Sequence, residues 1–263
     1  MRTPLRAFLP SFAAAALLLA ATVPSNAGPM AYAVTGVNGT DLVMLDLGTG
    51  NTTSIGSFTD SGIRGLALAP DGTLYAGTQV AFYSVNTTTA ATTLIGNPLA
   101  VLEDMDFDGN NLLASNTALI YNINTTTGSE TIIGSGINNF FGFAVIDSTT
   151  AYVTYRDING DTNLGILNHS TSIITPIGAL GAALGAGNII YGLDIASDGN
   201  LYGVSIGGEV LRLDTTTGLA TLISQTGINF RALAAIPDAG VPEPSTVALS
   251  AIGLALLLFR KRP

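Results

Sequence analysis

The stretch Asp157-Ile158-Asn159-Gly160-Asp161-Thr162-Asn163 sets side-chain oxygens at alternate positions. A hard cation such as calcium needs about six to eight oxygen donors, and short polar loops supply several of them. Asp157, Asn159 and Asp161 are therefore candidate metal ligands, and Ca2+ is the only cofactor the chain suggests. The pattern departs from a helix–loop–helix calcium site. Thr162 stands where the turn glycine belongs and Asn168 where the closing glutamate belongs, and a Gly160-Asp161 hairpin accounts for the same residues. Asp104 and Asp106 alternate with Met105 and Phe107, and Asp194 falls at the position equivalent to Asp106 in another repeat. Gathered at one place, these carboxylates would hold a cation or have raised pKa values; spread along a solvated wall, they would do neither. Gly203-Val-Ser205-Ile-Gly207 has the spacing of a hydrolase nucleophile elbow. That elbow requires a strand-to-helix turn, and the flanking residues read as strand and hairpin. His169, the one histidine, sits in the turn Asn168-His-Ser-Thr171, which excludes a His-based metal cluster. No catalytic residue is assigned.

The elements that must position these residues repeat along the chain. RGLALAPDGTLYAG begins at Arg64 and YGLDIASDGNLYGV at Tyr191; related wording begins at Leu102 and Phe141. The equivalent positions Gly65, Asp104, Gly142, Gly192 and Ala232 are spaced 39, 38, 50 and 40 residues apart. A period near 40 is the length of one four-stranded propeller blade. Branched and aromatic residues favour strands, and Asp-Gly or Thr-Thr-Gly punctuation favours tight turns. The first repeat starts at its second strand, with Met30-Ala-Tyr-Ala33. The missing strand appears at Arg231–Asp238, which matches Arg64–Asp71 almost position for position. The expectation is all-β: a five-bladed β-propeller over 28–240, its ring closed by the C-terminal strand. The blades are 30–58 with 229–238, 63–98, 102–136, 140–181 and 190–227. An open β-solenoid is the alternative, but it has no need of a split repeat. The repeat wording is similar to that of exported bacterial propellers, a likeness of fold that carries no fixed activity.

Residues 28–244 hold four of the nine basic residues, all eighteen acidic ones and no Lys, a net charge of −14. Such a surface repels phosphate backbones and argues against nucleic acid as a partner. Divalent cations and neutral glycans remain, as does plain solubility. Five N-x-S/T sequons, at Asn38, Asn51, Asn86, Asn124 and Asn168, are explained by turn chemistry. There is no Cys, so disulfides are excluded.

The two ends carry the address. Arg2 and Arg6, the apolar run Phe8–Ala21 and the small residues Ser25-Asn26-Ala27 make a secretory signal, residues 1–27, cleaved after Ala27 by signal peptidase. At the other end, Pro242-Glu243-Pro244 precedes the apolar segment 246–259 and the cations Arg260, Lys261 and Arg262. That segment would make a short transmembrane helix of about 20 Å against a hydrocarbon core of about 30 Å. Its basic end would stay cytoplasmic. This order of tripeptide, short span and basic cluster resembles the PEP-CTERM sorting signal of Gram-negative bacteria, over 241–263. The resemblance implies recognition by an exosortase and removal of the tail, and an association with exopolysaccharide and biofilm. The protein would be anchored in the inner membrane only transiently.

The reading that follows is an exported, surface-sorted, non-enzymatic protein of the envelope or exopolysaccharide matrix, binding polysaccharide through loops such as that of Arg156 and Asp157. The rival is an extracellular lyase or hydrolase using channel carboxylates and a divalent cation, with Asp106 and Asp194 at its centre. Tyr32, Tyr75, Tyr152 and Tyr202 either stack sugars or fill the core.

Overall fold

In the computed structural model the described residues are 28–135 and 139–237. The signal sequence, the sorting tripeptide and segment 246–259 lie outside them. The described chain is twenty strands and one 3-10 turn at Gly181–Ala183. Strands β1 (Met30–Thr35), β2 (Asp41–Asp46) and β3 (Thr52–Ser57) open the chain. The second blade is β4 (Gly65–Leu68), β5 (Leu74–Gly77), β6 (Phe82–Val85) and β7 (Thr92–Gly96), and the third is β8 (Asp104–Asp108), β9 (Asn111–Ser115), β10 (Leu119–Ile123) and β11 (Glu130–Ser135). The fourth is β12 (Phe140–Val145), β13 (Thr150–Arg156), β14 (Thr162–Asn168) and β15 (Ile173–Ala179). The fifth is β16 (Ile190–Ile195), β17 (Leu201–Ser205), β18 (Glu209–Leu213) and β19 (Ala220–Gln225). The last strand, β20 (Phe230–Ala235), returns to pair antiparallel with β1, so the first sheet runs β20-β1-β2-β3. The architecture is an all-β, five-bladed propeller whose ring is closed by the C-terminal strand. Closure leaves no inner edge to template aggregation.

With no Cys in the chain, no disulfide ties the blades, and apolar burial fills the gaps between them. Five apolar clusters lie one in each gap between neighbouring blades. Leu66 and Leu74 meet Val34 and Leu42 between the first two blades, and Phe140 and Phe143 meet Leu113 and Ile120 between the third and fourth. Tyr32, Tyr75, Tyr152 and Tyr202 belong to these clusters, which answers the question the sequence left open: they are packing residues. Tyr202 also donates its hydroxyl to Asp198 at 2.9 Å, and burial together with that carboxylate pushes its pKa up to about 12.

Two local devices recur in all five blades. The turn before each outer strand is an Asx turn. One side-chain oxygen of Asp46, Asn86, Asn124, Asn168 or Asp214 accepts the backbone N–H groups two and three residues on. This is why sequon-like Asn-x-Thr wording marks those turns. Each outer strand then carries a β-bulge at an isoleucine: Ile55, Ile95, Ile133, Ile177 and Ile223. The residue after the bulge is Gly in four blades and Ser224 in the fifth. At Gly96 the reason is close approach. A Cβ there would overlap the carbonyl oxygen of Thr127, in the Asx turn of the next blade. Gly96→Ala is expected to cost about 2–3 kcal/mol by overpacking, seen as a lower denaturation midpoint with unchanged m-value. An unchanged midpoint would show that the outer strand yields freely.

Candidate mouth of the propeller axis

The five inner strands, β20, β4, β8, β12 and β16, run side by side around the axis and all begin at the same end. At that end each is bulged. Ile190 opposes Ser205 and Gly192 opposes Val204, so Tyr191 is the extra residue. Arg231 is skipped in the same way between Phe230 and Ala232, and the β12 register shifts between Phe140 and Phe143. Arg64 and Glu103 share the arrangement: their N–H groups return to the carbonyls of Gly77 and Ser115, which already oppose Gly65 and Asp104. A bulge re-aims the side chain it adds. The preceding residues, Ile63, Leu102, Phe140, Ile190 and Phe230, are fully buried, while Arg64, Glu103, Phe141, Tyr191 and Arg231 are half-buried.

Three contacts link these five residues at the mouth, in one pair and one trio. Arg64 Nη1 lies 2.6 Å from Glu103 Oε1. Phe141 and Tyr191 meet edge to face with centroids 6.0 Å apart. The Arg231 guanidinium carbon lies 5.3 Å from the centroid of the Tyr191 ring. Arg231 also donates from Nε and Nη2 to the carbonyl of Val37 at 3.2 and 2.7 Å. Two guanidinium groups, one carboxylate and two aromatic rings therefore share one rim. The chemistry of such a rim is stacking, cation–π attraction and charge-assisted hydrogen bonding.

Below the mouth lie the three aspartates that the repeats placed on the axis. The structure brings Asp104, Asp106 and Asp194 together, but as blade-to-blade ties and not as a solvated wall. Asp104 accepts N–H groups from Met105 at 3.1 Å and from Phe143 of the next inner strand at 2.8 Å. Asp106 accepts from Phe107 and Val145, at 2.7 Å each. Asp194 accepts from Ile195 at 2.7 Å and from Ala235 at 2.6 Å. Burial raises all three pKa values. Asp104 and Asp106 stand well above the usual carboxylate range, Asp106 also through the charge of Asp194, and Asp194 is pushed up to about 6. The repeated Gly at the start of the inner strands reflects crowding on the axis: a Cβ on Gly192 would stand 2.5 Å from the backbone nitrogen of Leu233.

The remaining candidates have other places. Asp157, Asn159 and Asp161 form a hairpin loop in which Asp157 Oδ1 accepts the N–H groups of Asn159 at 2.9 Å and Asp161 at 3.0 Å. Slight burial raises the Asp157 pKa, but these bonds outweigh it and leave it below the ordinary value. Among the described residues no three His, Cys, Asp or Glu side chains converge as a metal site requires. Arg156 donates from Nη2 to the carbonyl of Gly187 at 2.7 Å, so this loop is joined to the connector between the 3-10 turn and β16. Ser205 ends β17 in a strand-to-hairpin passage, with no helix. Its hydroxyl donates to Glu209, whose other oxygen accepts Asn188 Nδ2 at 2.6 Å and the Gly185 N–H at 3.1 Å. His169 lies in its expected turn but is only 4% exposed, and its Nε2 has no hydrogen-bond partner. No described helix is long and apolar enough to cross a membrane.

Comparison with known proteins supplies the address and the fold. The PEP-CTERM protein-sorting motif matches residues 240–262. No curated protein matches the chain. A chain of the nidogen/laminin complex is similar in fold at TM-score 0.51 and 12% identity, over 79% of this chain and 97% of that one. A structure from work on the de novo evolutionary emergence of a symmetrical protein is similar at TM-score 0.52 and 18% identity, over 80% of this chain and 100% of that one. The motif is a signal for export and cell-surface sorting in Gram-negative bacteria and for processing by an exosortase. The chain is thus a five-bladed β-propeller carried ahead of a C-terminal PEP-CTERM protein-sorting motif.

Proposed function

We propose that this is a non-enzymatic binding protein of the envelope or exopolysaccharide matrix, holding polysaccharide at the mouth of its axis. The observation that carries the reading is the rim of Arg64, Glu103, Phe141, Tyr191 and Arg231. Ring faces and guanidinium N–H groups complement the C–H faces and oxygen atoms of sugars. The sorting motif supports it by directing the domain to the surface where such polymers lie. The carboxylates on the axis support it by being engaged: each of Asp104, Asp106 and Asp194 already accepts two backbone N–H groups. The rival lyase or hydrolase needs one of those acids free.

The test is fractionation of a host that makes both exosortase and polysaccharide. In the Tyr191→Ala, Arg231→Ala double variant, the matrix-bound share is expected to fall ~10-fold into the medium, the loss of about 1.4 kcal/mol of binding, with thermal unfolding unchanged. Equal partition of variant and native protein would refute the reading. So would turnover of the host polysaccharide by the native protein that is abolished in Asp106→Asn.

A further inference from the structure

Beside the mouth, between the first and second blades, is an open cleft of about 490 Å³. Its wall includes Val37, Asn38, Thr40, Ser61, Arg64 and Arg231. A second hollow of about 220 Å³ adjoins it across Ser61, Gly62 and Arg64 and reaches Thr78 and Val80. The charge of these walls runs against that of the domain. The described residues include only four arginines, two of them line the main cleft, and neither hollow is lined by an Asp or Glu. Arg64 is paired through Nη1 alone, and Arg231 keeps Nη1 clear of its two bonds to Val37. Unused guanidinium N–H groups of both residues are thus available, and the one carboxylate paired with them, Glu103, reaches Arg64 only through Nη1. The cleft is also pre-formed. The Gly62 N–H donates to the carbonyl of Asn38 at 2.7 Å and the Ile63 N–H to that of Gly39 at 3.3 Å, which pins the connector to the facing loop. Val37 and Val80, 65% and 69% exposed, flank the two hollows with apolar surface.

We infer that this cleft binds a carboxylate-bearing saccharide, a uronate residue of an acidic polysaccharide, with Arg64 and Arg231 on the carboxylate and the valines against the C–H faces of adjoining sugars. The inference rests on the matrix-binding reading above and names its ligand class. An acidic protein needs such a device to approach an acidic polymer: local cations overcome a repulsive net field only at contact range, where screening over about 8–10 Å matters least. Glu103 then acts as a competitor. It occupies Arg64 in the free protein, so its removal strengthens binding.

The test is calorimetric titration of the full exported protein with trigalacturonate, maltotriose and inorganic phosphate. Trigalacturonate is expected to bind saturably and the other two at least ~10-fold more weakly: maltotriose lacks the carboxylate, whose charge-assisted bidentate pair supplies about 1.5–3 kcal/mol, and phosphate lacks the C–H faces that cover Val37 and Val80. Arg64→Gln and Arg231→Gln are each expected to lose ~10-fold or more in affinity. Glu103→Gln is expected to gain several-fold, an outcome that a merely structural arginine pair does not produce. Absence of saturable trigalacturonate binding, equal binding of maltotriose, equal binding of phosphate, or weaker binding by Glu103→Gln each overturns the inference. The two readings fail separately. Matrix retention of the native protein without trigalacturonate binding overturns this one and leaves the surface role. Trigalacturonate binding without matrix retention does the reverse.

Discussion

A chain that stops at Asn229 is expected to fail to fold, while one that stops at Pro237 folds. The difference is β20. Phe230, Ala232, Leu233 and Ala234 are at most 1% exposed and belong to two different interblade clusters. Burying the phenylalanine and leucine alone contributes about 1.5–3 kcal/mol each. The strand also supplies the ladder partners of Ala31 to Thr35. Together these approach the whole net stability of an ordinary domain, about 5–15 kcal/mol. The shorter chain should elute as aggregate and lose its near-ultraviolet circular dichroism. A synthetic peptide of residues 229–237, added during refolding, should restore both. Cooperative unfolding of the shorter chain without the peptide would mean that the ring does not depend on its closing strand.

The second large effect is a loss of stability as pH rises from about 4 to about 6. Asp194 has a folded pKa of about 6 against an ordinary value of 3.8. Within that window the folded state holds a proton that the unfolded state has released, so stability falls with rising pH and the loss is complete above the folded value. At about 1.36 kcal/mol per pH unit, Asp194 alone accounts for about 3 kcal/mol. Asp104 and Asp106 act in the same direction. Acids with lowered values act elsewhere. Asp147, held at about 2 chiefly by the N–H of Thr149, loses its contribution only as pH falls below the ordinary range. About 2 of those 3 kcal/mol are lost above pH 4.5, so calorimetry should show a melting temperature about 4–8 °C lower at pH 7 than at pH 4.5, at 2–4 °C per kcal/mol for a domain of this size. The Asp106→Asn, Asp194→Asn double variant should flatten that slope. A melting temperature that climbs steadily from pH 4.5 to 7 would contradict the assignment.

How much of this was legible in the sequence follows from what repeats. Blade count and closure could be read because the apolar, Asp-Gly and Thr-Thr-Gly wording recurs, and because Arg231–Asp238 repeats Arg64–Asp71 where a strand was missing. The axial position of Asp104, Asp106 and Asp194 followed from alternation with Met105 and Phe107. What those carboxylates bind did not, because Phe143, Val145 and Ala235 offer backbone N–H groups, which leave no mark on residue type. The mouth was hidden for a related reason. Alternation assigns Arg64 and Tyr191 to the face of Leu66 and Leu193, and only the bulge turns them to the rim. Arg, Glu, Phe, Tyr and Arg share no chemistry that a repeat alignment would flag. The signal that would have found them is position: each directly precedes the first equivalent residue of its repeat. The Ile-Gly pairs of the outer strands were visible as wording, but not as bulges.

The closing strand also fixes the face of the ring from which the chain departs. Its residues near the mouth are Phe230 and Arg231; its far end, Ala235 and Ile236, is bonded to Asp194 and to Met30. The chain leaves the described propeller at Pro237, with four residues before Pro242. At about 3.3–3.6 Å per residue they reach only a short way. A hold on the sorting motif would therefore act on the face of the ring opposite the rim of arginines and aromatics. Any pull on that end of the chain would travel first into the β1–β20 ladder, the seam by which the circle is fastened.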